Sequence, residues 1–354
     1  MTEKLLDIEA LSPEDLARLA GLSYVTDEEA RFSRERNGMG FYYVNGSERH
    51  LRDRVSLNRI ESLAIPPAWV DVWVCRTANG HLQATGHDAR QRKQYIYHER
   101  WREMSNLKKF WRLKQCAQFL PVLRARVARD LRGRELTRNR VLAGMVAILD
   151  LTLIRVGNEE YVRQNNSYGL TTLRTRHVTI DGWQAKLRFR GKSGLQREAI
   201  VQDKRLVRLL KELKKLRGAH VFQFVDSDGR IHPADANAVN EYLRERTTHA
   251  FTAKDFRTWK ASALAAAMLY EIRDEERFTV RKRLTNKTVA AVAAALGNTT
   301  SVCREYYIHA GLLEASLEGK LADLFQRYRR RPQRGLSLDE QLLAHFVRRW
   351  PRPK

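Results

Sequence analysis

The 354-residue sequence predicts an α+β protein, with a small β-rich N-terminal domain ahead of a larger, mainly helical one. Three observations lead there. Strand-like runs closed by Asn-Gly pairs crowd residues 41–97, the apolar period turns helical from Glu99 onward, and one β segment, His177 to Val201, interrupts the helices.

In chain order, Ser12-Pro13-Glu14-Asp15 opens a short helix through Leu19, with a capping hydroxyl, a first-turn proline and acids near the positive end of the dipole. Phe41-Tyr42-Tyr43-Val44 runs as a strand into Asn45-Gly46. Val70 to Arg76 and His81 to Thr85 form a hairpin closed near Asn79-Gly80, and a basic strand, Arg92 to Tyr97, joins them. Residues 1–98 are therefore read as the N-terminal domain, 99–330 as the helical domain and 331–354 as a basic extension with a terminal helix. Helices are expected over 99–132, 137–154, 203–217, 233–247, 254–273, 285–296, 300–309, 313–328 and 337–349. The interrupting segment reads as a three-strand meander: His177 to Ile180, Gln184 to Arg190 and Gln196 to Val201. Its turns are Asp181-Gly182 and Gly191-Lys192-Ser193-Gly194. No internal repeat is evident. The basic run Arg327 to Arg334 reads as a surface connection to the last helix.

Sixty-five Lys and Arg against 41 Asp and Glu leave a formal charge of +24, which points to a polyanionic partner. A membrane is a poor candidate. The longest apolar run, Val141 to Ile154, is short, contains Asp150 and reads as a buried core helix, and the acidic Met1 to Ala10 lacks a signal-peptide core. Cys75, Cys116 and Cys303 are widely spaced, without a C-x-x-C pair, and read as free thiols of a cytoplasmic protein. No Walker loop, dinucleotide fingerprint, carboxylate cluster or H-E-x-x-H is present, so neither a cofactor nor a metal is expected. Metal-free phosphoryl transfer remains open. It needs a protein nucleophile, fixed positive charge around the transition state and an acid for the departing oxygen, which Tyr, Arg and Lys can supply.

Four places offer those groups. Arg155 follows an apolar helix and precedes Gly157; by itself it could be a solvated helix end. Lys192 tips a glycine-flanked hairpin turn, where a lysine is ordinarily plain surface. Lys254 and Arg257 open a helix whose remainder, Ala261 to Leu269, is small and apolar, and a basic pair there suits phosphate because backbone N–H groups and dipole point the same way. Ala295-Leu296-Gly297-Asn298 is followed, nine residues after Asn298, by Tyr307, which alone would be an interior aromatic. Tyr306 stands beside it. Adjacent helical residues point about 100° apart, so one tyrosine alone can face a pocket, and the spacing selects Tyr307.

Taken together, Arg155, Lys192 on a hairpin, Lys254-x-x-Arg257, Leu296-Gly297-Asn298 and Tyr307 resemble the tyrosine-dependent DNA strand transferases, meaning type IB topoisomerases and tyrosine recombinases. The N-terminal runs Ile65-Pro66-Pro67-Ala68-Trp69, Gly80 to Gly86, Asp88-Ala89-Arg90 and Lys93-Gln94-Tyr95-Ile96-Tyr97-His98 look like the small, poxvirus-like bacterial type IB topoisomerases. The resemblance spans roughly residues 30–325. It implies a C-shaped clamp that acts as a monomer on duplex DNA in the bacterial nucleoid, relaxing both signs of supercoil through a 3′-phosphotyrosyl bond without ATP, metal or cofactor. It assigns Arg155, Lys192, Arg257, Asn298 and Tyr307 to catalysis. It assigns Lys93, Gln94, Tyr95 and Tyr97 to a strand in the major groove, where alternating aromatic and polar groups can meet base edges and phosphates. Without it, that strand could equally be half-buried with both tyrosines packed inward. Two residues depart from the wider pattern: Asn298 stands where viral members and most recombinases have histidine, although bacterial type IB enzymes often carry asparagine, and Ala310 stands where proline is common. Asparagine donates a neutral N–H but does not titrate near neutrality. A recombinase shares the chemistry but more often has histidine at the position of Lys254. A non-catalytic architectural DNA binder would explain the charge and leave the constellation to coincidence.

Overall fold

The computed structural model describes residues 11–350 except 30, 39, 90, 248, 250 and 330–332, and the backbone alone of Lys109. Met1 to Ala10, Arg90 of the Asp88-Ala89-Arg90 run and Arg330, Arg331 and Pro332 of the basic run lie outside the described residues. The chain divides into two compact units, Met1–Arg112 and Leu113–Lys354.

The first unit is built on an antiparallel sheet of β1 (Arg31–Asn37), β2 (Gly40–Asn45), β3 (Val70–Cys75), β4 (Leu82–His87) and β5 (Lys93–Tyr97), in the order β2-β1-β3-β4-β5. Side chains alternate between its faces. Phe32, Val72, Val74, Ala84 and Ile96 gather on one, with Ile60 of α2 (Arg54–Ser62); Trp73, Cys75, Leu82 and Tyr97 pack on the other. Helix α1 (Pro13–Leu19) precedes the sheet, its cap Ser12 accepting the Asp15 N–H at 3.1 Å. Strand β1 and helix α2 were not expected. Arg-Phe-Ser-Arg-Glu-Arg-Asn has one buried residue in seven, so the strand carries no apolar alternation, and α2 buries Ile60 alone.

A long helix, α3 (Glu99–Asp130), crosses the division between the units. In the second unit α4 (Arg138–Thr152) is the central helix, buried along most of its length from Arg140 to Leu149, and no described helix is long and apolar enough to cross a membrane. A seven-residue helix, α5 (Glu159–Asn165), follows; having no buried residue, it shows no apolar stripe in the sequence. The meander is β6 (Val178–Asp181), β7 (Gln184–Arg190) and β8 (Gln196–Val201), antiparallel in that order. After α6 (Lys204–Leu213) comes a small hairpin, β9 (Gln223–Val225) and β10 (Ile231–Pro233), so the meander is not the sole β segment among the helices. Asp226 builds its turn by accepting the backbone N–H groups of Asp228 and Arg230, and β10 delays α7 to Ala236–Thr247.

Helices α8 (Ala253–Tyr270), α9 (Phe278–Leu296) and α10 (Thr300–Tyr306) come next. The single helix expected over 313–328 is two, α11 (Ala310–Glu318) and α12 (Leu321–Phe325), because Gly319 turns left-handed at φ 75° and ends the first. The last helix, α13 (Leu338–Arg349), packs along α8, whose Ala261, Ala263, Ala265 and Ala266 are all buried.

Candidate active site

Arg257 is the hub. It sits on the first turns of α8, whose start is fixed by a reciprocal cap in which Asp255 accepts from the Thr252 N–H at 2.9 Å and the Thr252 hydroxyl at 2.7 Å. Its side chain is 4% exposed, and two helix ends hold it. One Nη donates to the carbonyl of Leu153, the left-handed residue that ends α4, and the other donates to the carbonyl of Leu296 at the end of α9, at 3.0 Å. Both carbonyls lie at negative ends of helix dipoles, which offsets part of the cost of burying a guanidinium. Burial still pushes the Arg257 pKa below its ordinary value.

Arg155 lies in the loop after α4, pinned by Leu170 N–H donating to its carbonyl at 2.9 Å and by Thr171 N–H donating to Val156 at 2.7 Å. The pinning requires glycine on both sides, since a Cβ on Gly169 would come within 2.5 Å of the Gly157 Cα. Burial and the neighbouring Arg257 lower the Arg155 pKa to about 10. Helix α9 ends in a left-handed Gly297, after which Asn298 N–H returns to Ala293 at 3.0 Å. Arg155 donates to Asn298 Oδ1. A guanidinium only donates, so this contact fixes the amide's orientation and leaves Asn298 Nδ2 as a buried donor without a partner among the described residues. Arg257 Nε is a second such donor.

Tyr307 caps α10, and its ring centroid lies 5.3 Å from the Arg257 guanidinium carbon. Burial alone would raise its phenol pKa; Arg257, then Arg155 and Lys254, outweigh that and bring it below the ordinary value. Ser262, five residues after Arg257 on α8, fixes the local backbone: its hydroxyl donates to the Tyr307 carbonyl and accepts the His309 N–H, both at 3.0 Å. Tyr306 is 41% exposed. Lys254 is exposed at the start of α8.

Lys192 occupies the turn between β7 and β8, closed by Gly191 N–H donating to Leu195 at 2.8 Å, with Ser193 and Gly194 at positive φ. The lysine is exposed and takes no hydrogen bond or ion pair among the described residues. It lines an open pocket together with Arg155, Arg257 and Arg197.

Residues 98–326, more than half of the chain, match the family model described as "Eukaryotic DNA topoisomerase I, catalytic core", and residues 40–88 match "Bacterial DNA topoisomerase IB, N-terminal domain". The chain belongs to the type IB DNA topoisomerases. It is 35% identical to DNA topoisomerase 1B of Acanthamoeba polyphaga mimivirus over 286 residues, covering 78% of this chain and 84% of that protein. It is 21% identical to DNA topoisomerase I of monkeypox virus and to DNA topoisomerase 1B of vaccinia virus (strain Copenhagen), each over 284 residues, 78% of this chain and 86% of theirs.

The candidate site contains one cation that the sequence reading missed. Arg197, on β8, donates to the Leu296 carbonyl and shares that acceptor with Arg257; burial and Arg257 lower its pKa. Its place five residues after Lys192, on the same hairpin, is the signal that could have found it. The strand Lys93–Tyr97 belongs to the first unit. Tyr95 is 48% exposed and stacks on Tyr97 with centroids 6.0 Å apart, and Lys93 reaches Asp27 at 2.6 Å. Gln94 leaves the opposite face of β5, with Ile96, and donates to Asp88 at 3.0 Å.

Proposed function

We propose that the enzyme relaxes positive and negative supercoils in duplex DNA by cutting one strand through a 3′-phosphotyrosyl bond at Tyr307 and resealing it. The Tyr307 phenol gives its proton to water, and its oxygen bonds to the scissile phosphorus. Arg155, Arg257 and Asn298 hold the non-bridging oxygens, and Lys192 protonates the 5′ oxygen as the P–O5′ bond breaks. In resealing, the 5′-hydroxyl attacks phosphorus, returns its proton to Lys192 and expels Tyr307. The phosphotyrosyl bond retains the free energy of the phosphodiester, so the cycle needs neither ATP nor metal. The strand Lys93–Tyr97 contacts the major groove, and Lys254 and the cations of α6 contact backbone phosphates.

The observation that supports this reading most is a pair of buried donors without partners among the described residues: Arg257 Nε, whose guanidinium lies against the Tyr307 ring, and Asn298 Nδ2, whose amide is held by Arg155. A buried donor without an acceptor costs roughly 1–3 kcal/mol, and phosphate oxygens would supply acceptors. Supercoiled circular DNA incubated with chelator and without ATP should be relaxed. Tyr307→Phe should bind the DNA as the parent does, yet leave it supercoiled and form no covalent adduct on detergent quenching. An adduct that persists in Tyr307→Phe and disappears in Tyr306→Phe would overturn the assignment.

A further inference from the structure

The match to the catalytic core ends at residue 326, and α13 lies beyond it. Two groups, one on α13 and one at its C-terminal end, reach into the machinery of the second unit. Glu340, 1% exposed, accepts from Trp259 Nε1 at 2.9 Å and lies 2.8 Å from Lys260 Nζ, both on α8 within a turn of Arg257. Its carboxylate also takes two bonds from Arg124 at 2.7 and 2.8 Å, and Arg124 in turn reaches Asp150 on α4. At the other end, Phe346 and Trp350 stack with centroids 5.2 Å apart and meet His309 edge-on, at 5.5 and 6.5 Å. The Trp350 indole fills the space that a side chain on Gly311 would need, four residues after Tyr307.

We infer that α13 is a splint that sets the position of Tyr307 relative to Arg257, with Glu340 and Trp350 as its positioning residues. One end of the helix grips α8 beside Arg257; the other presses the His309–Gly311 segment that leads away from Tyr307. Ser262, between them on α8, ties the Tyr307 backbone to the same helix. Neither Glu340 nor Trp350 touches the reacting atoms. The inference rests on Tyr307 as the nucleophile.

Glu340→Gln leaves the half-buried Arg124 and Lys260 short of a counter-charge and tests folding as much as positioning. Trp350→Ala, at the edge of the splint, separates the two. Adduct formation would be followed in a single turnover across pH on a duplex, with DNA affinity measured alongside. The splint predicts adduct formation slower by about tenfold or more, because small misplacements of reacting groups are costly, and an affinity within about twofold of the parent. The cations facing the phenol are Arg257 and Lys254 from α8 and Arg155 from the loop after α4. Drift away from Arg257 should move the alkaline midpoint of the rate upward. Trp350→Phe, which keeps a stacked ring, should recover most of the rate. A parent-like rate, an affinity loss matching the rate loss, an unmoved midpoint or a Phe variant no better than Ala overturns the splint. A parent that forms no Tyr307 adduct removes the nucleophile assignment as well.

Discussion

Lys192 and Arg257 represent opposite ways of holding a cation. Arg257 is buried and anchored through two main-chain carbonyls, whereas Lys192 stands exposed on a turn with no partner among the described residues. A fixed guanidinium suits a charge that is always present, and a mobile ammonium suits a proton that must be handed over. Alkoxide is a very poor leaving group, so removing an acid at Lys192 should slow cleavage roughly a hundredfold to ten-thousandfold. Replacing the bridging 5′ oxygen with sulfur removes most of that need, because thiolate leaves readily. Lys192→Ala should cleave the sulfur-bridged strand at close to the parent's rate, while Asn298→Ala should not recover. Rescue of both variants, or of neither, would make Lys192 a charge stabiliser. At this scale the sequence was legible where spacing carried the information: Asn298 and Tyr307, nine apart, do lie by the arginines. Arg197 was not, because its partner, the Leu296 carbonyl, is ninety-nine residues away.

Among the elements, the end of α9 is the most constrained. Gly297 takes φ 58°, and a Cβ there would run into the Arg197 guanidinium. Gly297→Ala therefore carries two penalties, about 1–2 kcal/mol for the left-handed backbone and a further one for the clash. Thermal unfolding of Gly297→Ala should show both, and adding Arg197→Ala should recover the second alone. Full recovery, or none, would mean that one penalty was misjudged. Elements with a local chemical pattern could be read in advance: α1 from Ser12, α8 from Lys254 and Arg257 ahead of the small apolar run Ala261 to Leu269, the β7–β8 turn from its two glycines. Strand β1, helix α5 and the β9–β10 hairpin could not. They are polar or only a few residues long, and what holds them is pairing or capping with little burial of their own.

For the whole molecule, a formal charge of +24 makes counterion release the dominant feature of DNA binding. If about six phosphates are neutralised, affinity should fall on the order of a thousandfold between 50 and 200 mM salt. A filter-binding or anisotropy titration with a nearly flat response would assign the charge to another purpose. The same molecule also illustrates what a lineage is free to change. Both anchors of Arg257 are main-chain oxygens, at Leu153 and Leu296, and every amino acid offers that oxygen. Substitution at either position leaves the acceptor in place so long as α4 and α9 still stop where they do. The arginine's seat is thus inherited through where helices end, which many different sequences can encode, and it tolerates drift that would unseat an arginine held by a single carboxylate.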